Sequence, residues 1–362
     1  MATIYDVAKA AGVSPKTVSR VMNGDGPVRA ATREAVLEVI NRLGYVPSTA
    51  ARVMKSNKSG LLGLITGAIS APIDGSTPTG LPDFFIVQGI QSVISRSSKT
   101  LMIADTAGDE ERIGALIRTF LEHRVEGLFY VADSHREVQL SVPQPGVETV
   151  LVNCYDDLGT PSVLPDDRGG QRRLVADLIA KGHRRIALLT LDPETDATRL
   201  RFLGYGDALS AAGIAFDDEL VRPGELKGGA DERAVVREAL DHILALPEPP
   251  SVICAGNDRL AMIVFASLRQ RGLAIPEDIA VAGYDDHCQI AESLDPPLTT
   301  VELPYHAMGV RSAEWLLQRV EEAGSAPLRR FSSSDWKLCH TVSPEWRWHS
   351  RAEGFRLGSE LS

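Results

Sequence analysis

From Leu61 onward the chain alternates short, mainly apolar runs with segments of helical period, and this alternation constrains its fold more than any other feature. The runs are LLGLIT (61–66), TLMIADT (100–106), GLFYVAD (127–133), TVLVNC (149–154), RIALLTL (185–191), SVICAGND (251–258) and IAVAGYDD (279–286). Between them, Gln171–Lys181, Arg199–Ala212, Arg233–Leu246 and Leu260–Arg271 have the spacing of helices. A strand that is apolar on both faces must be covered on both, and intervening helices supply that cover. The pattern therefore predicts parallel sheets between helical layers. So many strands exceed one compact unit, and 362 residues exceed one ordinary core. The half-way point falls near residue 160, in the turn-rich stretch NCYDDLGTPSVLPDD. The expected architecture is two α/β lobes with a cleft between the C-terminal ends of their strands, where such sheets bind ligands.

The N-terminal segment departs from this pattern in charge and in period. Residues 1–60 carry nine Lys and Arg against four Asp and Glu, a net +5, whereas the whole chain carries −10 and the remainder −15. A basic head on an acidic body is the footprint of a phosphate-binding module joined to something that does not touch phosphate. A solvated basic surface has the same charge, so the helix pattern must decide.

That pattern is specific. Thr3 and Asp6 have capping-box spacing, so a helix should start near Ile4, with Val7, Ala8 and Ala11 on its apolar face. Gly12 breaks it. Ser14 then caps a second helix, with Pro15 at the first helical position, where its missing N–H costs nothing. Two short helices joined by a Gly-containing turn form a helix-turn-helix. On the second helix Val18 and Val21 should point inward, while Lys16 and Arg20, four apart, share the outward face near Thr17. Arg and Lys donate to guanine O6 and N7 from the N-terminal part of such a helix, and Tyr5, Thr17 and Ser19 have the reach for phosphate oxygens. A third helix, about Ala31–Leu43, should bury Val36, Val39, Ile40 and Leu43 and stop at Gly44. Beyond Pro47, STAARVMK reads as a helix of about two turns, too short to persist alone in water. Its small Ala50 and Ala51 permit close approach to a groove, and Met54 is an apolar wedge of the kind that kinks a duplex from the minor groove.

TIYDVAKAAGVSPKTVSRVMNGDGPV followed by TREAVLEVINRLGYVPSTAARVMKS resembles the head and hinge of the lactose-repressor (LacI) family, continuously from Thr3 to Ser56. The resemblance implies that Pro15, Lys16 and Arg20 occupy the major-groove reading positions. It also implies that the hinge helix, with Ala51, Met54 and Lys55, docks in the minor groove of operator double-stranded DNA. The wider contact set it implies adds Thr3, Tyr5, Ser14, Thr17, Ser19, Asn23 and Arg29. Two departures stand out. Pro15 has no side-chain donor, which leaves base reading to Lys16 and Arg20, and Met54 replaces the usual leucine, a volume-conserving change.

In the body, Asp105, Asn153, Asn257-Asp258 and Asp285-Asp286 end apolar runs, and Arg201 follows RIALLTL through the loop DPETDATRLR. Carboxylates accept from sugar hydroxyls while Arg and Asn donate, so these residues suit a hydroxyl-rich ligand. Phe84-Phe85 could add a stacking face. Each polar position also reads as a helix N-cap, the favoured reading for Asp258 and Asp286. KGHRRIALL, RxxGY at Arg201–Tyr205, AGNDRLAM, GLAIPEDIAVAGYDD and PLTTVELPYHAMG are similar to the periplasmic-binding-protein-like core of the same family over about residues 61–310. That likeness places Arg201, Asn257 and Asp285 at effector-contacting positions, Asn153 at a position often acidic, and Phe84-Phe85 at the family's aromatic pair. The loop before Phe84 (70–83) is longer than usual, and Leu303 stands where a polar contact can occur.

The function expected on these grounds is a homodimeric, sequence-specific DNA-binding repressor in the cytoplasm, at the nucleoid, its operator affinity set by a mono- or disaccharide. The expected domains are a helix-turn-helix head (1–46), a hinge helix and linker (47–60), a two-lobed effector-binding and dimerisation core (61–345) and a poorly ordered tail (346–362). The body alone would permit a sugar-binding protein of transport, which the basic head and the absence of a leader-like N-terminus oppose. Catalytic signatures such as G-x-S-x-G, HExxH, a Walker loop or a dinucleotide fingerprint are absent, so no enzyme and no cofactor are expected. Cys154, Cys254, Cys288 and Cys339 form no CxxC pair, and no apolar stretch is long enough to span a membrane.

Overall fold

The computed structural model describes residues 2–24, 26–45, 58–67, 81–140, 147–226, 231–323 and 340–342. The expected hinge contacts Ala51, Met54 and Lys55, most of the loop 70–83, and the tail 346–362 lie outside the described residues. The chain divides into two compact units, Met1–Gly60 and Leu61–Ser362.

The first unit is built from local signals. Helix α1 (Ile4–Ala10) opens with a reciprocal capping box: the Thr3 hydroxyl oxygen accepts from the Asp6 amide, and the Thr3 amide donates to the Asp6 carboxylate at 2.8 Å. Helix α2 (Pro15–Asn23) is capped by Ser14, whose Oγ accepts from the Thr17 amide at 3.2 Å, and ends at Gly24 in the left-handed conformation. Helix α3 (Ala30–Leu43) closes on Gly44. Val7, Ala8, Val18, Val21, Val36 and Val39 form the buried core of the three helices. Ile40 is only half-buried and Leu43 is 38% exposed, which corrects the expected burial of α3's last turn. The Gly44 turn carries Tyr45 back to donate its amide to the Ile40 carbonyl, and Tyr45 packs against the cluster instead.

The second unit has two parallel sheets. The first joins β1 (Leu61–Thr66), β2 (Thr100–Asp105), β3 (Gly127–Glu137), β4 (Glu148–Tyr155), β5 (Ser162–Pro165) and β10 (His340–Val342) in the order β10-β5-β4-β3-β1-β2. Helices α4 (Leu81–Ile94) and α11 (Tyr305–Ala323) cover one face through Ile86, Ile90, Ile94, Met308 and Leu316. Helix α5 (Ile113–Glu122) covers the other through Ile117 and Phe120. The second sheet, β7-β6-β8-β9, consists of β6 (Ile186–Thr190), β7 (Val221–Pro223), β8 (Val252–Ala255) and β9 (Ala280–Ala282). It lies between α6 (Asp167–Ala180) with α7 (Asp196–Ala211) on one side, and α8 (Glu232–Leu244) with α9 (Asp258–Gln270) on the other. Every strand pairing among the described residues is parallel, as apolar strands flanked by helices require.

The chain passes to the second lobe between β5 and α6. It returns along residues 283–303, where Gly283 and Asp285 donate their amides to Thr299 and Val301, past the one-turn helix α10 (Cys288–Ala291). Three details depart from expectation. Helix α4 begins at Leu81, so the last residues of the expected loop 70–83 are helical. Helix α7 begins at Asp196, three residues before the expected start at Arg199, with Arg201 inside it as expected. Strand β5 arises in the stretch that reads as turns, because four residues suffice once β4 supplies the pairing partner.

Candidate functional site

On the head, α2 separates its faces as its spacing dictates. Val18 and Val21 are buried, while Lys16 and Arg20 are exposed one turn apart, with Thr17 half-buried between them. Tyr5 on α1 is 71% exposed, and Arg29, at the start of α3, is exposed. Ser14 and Thr3 are committed as caps: the Thr3 hydroxyl donates to Asp6 at 2.7 Å, and these bonds hold the Asp6 carboxyl below its usual range. Pro15 sits at the first helical position, Ser19 is half-buried and Asn23 closes the helix. The result is a rigid, capped helix that presents two cations and a hydroxyl on the face opposite its core.

In the body, the C-terminal ends of β6 and β9, both in the second sheet, bring Arg201 and Asp285 together. Arg201 projects from the first turns of α7 and is buried. Its Nε donates to Asp167 Oδ1 at 2.8 Å, its Nη1 donates to the Gly256 carbonyl, and its Nη2 lies 3.9 Å from Asp285 Oδ1. The guanidinium plane lies over the Tyr284 ring, 3.9 Å from its centroid. Burial alone would lower the Arg201 pKa, but the carboxylate of Asp167 raises it overall and keeps the group charged. Asp285 has a left-handed φ of 123°, and enclosure pushes its carboxyl well above the usual carboxylate range despite Arg201.

The other expected contacts take different places. Asn257 is the N-cap of α9, its Oδ1 accepting from the Leu260 amide at 2.7 Å, while its neighbour's carbonyl, Gly256, holds Arg201. Asn153 is buried, has φ of 62° and donates from Nδ2 to the Ala132 carbonyl, so it braces β3 against β4. Phe84 is 61% exposed and meets Phe85 edge to face at 5.6 Å; Phe85 in turn meets the His287 ring, 6.3 Å away. Leu303 is buried and makes no polar side-chain contact.

Neither Asp258 nor Asp286 is an N-cap, contrary to the favoured reading; Asn257 and His287 hold those positions. Asp258 is fully buried and accepts from the Thr300 hydroxyl at 2.6 Å and from the His287 amide at 2.7 Å, pinning the returning segment. Its neighbour Asp286 lies on that segment, its own amide donating to Thr300 Oγ1 at 3.2 Å.

Sequence reasoning missed the residue at the centre of this arrangement. Asp166 caps α6, accepting from the Gly169 amide at 2.8 Å, and the next residue, Asp167, is fully buried. Its Oδ2 meets His135 Nδ1 at 2.8 Å. Burial would raise the Asp167 pKa, yet Arg201 and His135 bring it below the usual range. His135 belongs to β3 in the first lobe and Arg201 to α7 in the second, so Asp167 ties the lobes. A second tie lies beside it, where the Tyr155 hydroxyl donates to Asp196 Oδ2 at 2.7 Å. The signal was the DD pair at 166–167, since one cap needs one carboxylate and the second acid calls for another partner.

Among the described residues, no group of three or more His, Cys, Asp or Glu is arranged to hold a metal ion, and no helix is long and apolar enough to cross a membrane.

Comparison with known proteins agrees with both halves. Residues 3–48 match the bacterial regulatory proteins of the lacI family, and residues 175–335 match a periplasmic binding protein-like domain. The chain is 33% identical over 328 residues to the ribose operon repressor of Escherichia coli, covering 89% of this chain and 94% of that one. Among solved structures it is similar to the lac repressor dimer bound to operator and the anti-inducer ONPF, at 26% identity and a TM-score of 0.73, covering 89% of this chain and 93% of that one. It is also similar to the transcriptional regulator CelR in complex with cellobiose, at 30% identity and a TM-score of 0.59, covering 91% and 96%. These relatives are regulators rather than enzymes.

Proposed function

Because the chain belongs to the lacI family of bacterial regulatory proteins, we propose that it is a cytoplasmic, nucleoid-associated repressor that binds a specific operator as a homodimer and changes its affinity when a mono- or disaccharide enters the cleft. The observation that carries the DNA-binding half is α2, with its apolar stripe buried, its N-terminus capped and Lys16 and Arg20 exposed together. In this reading Lys16 and Arg20 read guanine edges in the major groove. Tyr5, Thr17, Ser19, Asn23 and Arg29 contact the backbone, while Thr3, Ser14 and Pro15 set the helix entry against it. Ala51, Met54 and Lys55 enter the minor groove. A dimer would place two such heads on a pseudo-palindromic site.

The effector half rests on Arg201 and Asp285 facing each other at the strand ends, with Phe84-Phe85, Asn153 and Asn257 proposed as further contacts. Two relatives, a ribose operon repressor and a regulator in complex with cellobiose, favour a carbohydrate. The test uses duplexes selected from random sequence by the full-length protein, followed by mobility shift with the Arg20→Ala variant. Loss of one bidentate base contact weakens specific binding by about 10-fold to 100-fold, and non-specific binding much less. An unchanged shift by folded Arg20→Ala protein refutes the assignment of α2. Thermal shifts against a sugar panel test the effector, since binding to the native state raises apparent stability; a panel without response refutes the carbohydrate.

A further inference from the structure

Building on the reading of the cleft as the effector site, we propose that Asp167 sets the charge class of the effector. By committing the Arg201 guanidinium inside the protein, it restricts the cleft to uncharged, hydroxyl-rich molecules and turns away phosphate esters and carboxylates.

An arginine reads an anion through a fork of two parallel N–H donors. Arg201 cannot offer the fork on its Nε side. Nε is held by Asp167, Nη1 by the Gly256 carbonyl, and one face of the plane is covered by Tyr284. What remains is the second hydrogen of Nη1 and the two of Nη2, whose nitrogen lies 3.9 Å from Asp285 Oδ1. The Asp285 side chain keeps 24% of its surface, against 7% for Arg201 and none for Asp167. An incoming group therefore meets these remaining donors beside the Asp285 carboxyl, with the positive charge behind them already paired to Asp167. A hydroxyl, which both donates and accepts, fits that pair. A phosphate needs several donors and meets a carboxyl instead.

The charges around the pair point the same way. The groups facing Arg201 are Asp167 from α6, His135 from β3 behind Asp167, Tyr284 and Asp285 from the returning segment, and Tyr305 from α11. Arg201's one positive charge is thus already balanced by Asp167, and no charge remains to offset an anionic ligand. In a site shielded from water such an uncompensated anion is strongly disfavoured. The Asp167 carboxylate cannot step aside, since its second oxygen is tied to His135 across the lobes.

The experiment uses full-length wild type, Asp167→Asn and Asp285→Asn, with thermal shift and calorimetric titration. The probes are inorganic phosphate, ribose and glucose, and the monophosphate esters of the two sugars, all at ionic strength matched with chloride. Asn at 167 keeps an acceptor for Arg201 but removes the charge. The expected result is a saturable phosphate response in Asp167→Asn, half-complete at least about tenfold below the highest concentration tested on wild type. No phosphate response is expected in wild type or Asp285→Asn, because Asp167 still holds Arg201 in both. A saturable phosphate response in wild type overturns the proposal, as does wild-type binding of an ester as tight as that of its parent sugar. So does a folded Asp167→Asn that gains nothing. If Asp167→Asn does not fold, the other two proteins decide, and phosphate binding by Asp285→Asn would move the role away from Asp167. Absence of response to both neutral sugars counts against the sugar reading of the cleft and leaves the phosphate arms to judge this one.

Discussion

Two glycines two residues apart on α7 should respond to alanine with opposite signs. A Cβ on Gly206 would meet nothing within 4 Å, whereas one on Gly204 would lie 2.2 Å from the Arg168 carbonyl oxygen and 3.0 Å from the Arg172 amide of α6. Neither glycine has a positive φ, so alanine fits the backbone at both. Gly206→Ala collects the helix-propensity gain of about 1 kcal/mol. Gly204→Ala has the same gain but must lengthen a contact with main chain by about 1 Å to reach ordinary separation. No side chain can swing aside, so the helices must part, and overpacking of this kind costs about 3 kcal/mol. The net is a loss of about 2 kcal/mol, or roughly 4–8 °C in Tm, against a rise of about 2–4 °C for Gly206→Ala. The consequence reaches the cleft, because α6 carries Asp167 and α7 carries Arg201. A parting of about 1 Å takes their 2.8 Å bond beyond hydrogen-bond range. Thermal and urea unfolding of the full-length variants, with effector titration on each, measures both effects. A Gly204→Ala protein as stable and as responsive as Gly206→Ala would refute the view that close approach of these helices positions the pair.

Two further predictions follow from groups with defined partners. Ser14→Ala removes the acceptor for the Thr17 amide, so the head should lose about 1 kcal/mol in a hydrogen-exchange measurement of α2 amides while the body's exchange stays unchanged. Burial, reinforced by Asp286, pushes the Asp258 carboxyl up to about 7 against its hydrogen bonds from Thr300 and His287. The folded state thus holds this proton more tightly than the unfolded chain, and the stability it brings is complete below about pH 4 and lost as pH rises through about 7. Asp258→Asn should remove up to about 4 kcal/mol of that decline in urea unfolding between pH 4 and 8, and an unaltered pH profile would refute the assignment.

The head was legible because its determinants are local. The caps at Thr3 and Ser14 act on amides three residues on, and face separation on α2 needs only a period. The strands were legible for a related reason, since burial on both faces leaves no polar alternation to misread. Short strands escaped because pairing, not composition, makes them: β5 is extended because Leu151 and Val152 of β4 lie opposite Ser162 and Val163. The cleft was legible in part. Strand ends pointed to Arg201 and Asp285 but assigned the cap to Asp258 rather than Asn257, because Asp258 instead pins a segment more than forty residues away, which no local pattern shows. Asp167 was hidden more deeply. Its partners lie 32 positions before it and 34 after it, and only folding brings them to one carboxylate.

The position of Asp167 also bears on how a ligand could act at a distance. A ligand shifts a conformational equilibrium only by its differential affinity for the two states, and the coupling is reciprocal between sites. Two polar ties cross between the lobes at the cleft, His135 with Asp167 and Tyr155 with Asp196. Hydrogen bonds to charged groups contribute about 1.5–3 kcal/mol each, so the loss of one tie is enough to supply the roughly 1–3 kcal/mol typical of allosteric coupling. If the proposed effector site is right, a hydroxyl that draws on Asp285 and Arg201 changes the field at Asp167 directly, because the same carboxylate holds Arg201 on one oxygen and the first lobe on the other. In that reading, recognition and lobe attachment share one side chain. Any ligand that weakens the Arg201 bond must alter the grip on His135, and any change in lobe angle that strains His135 must alter affinity in the cleft.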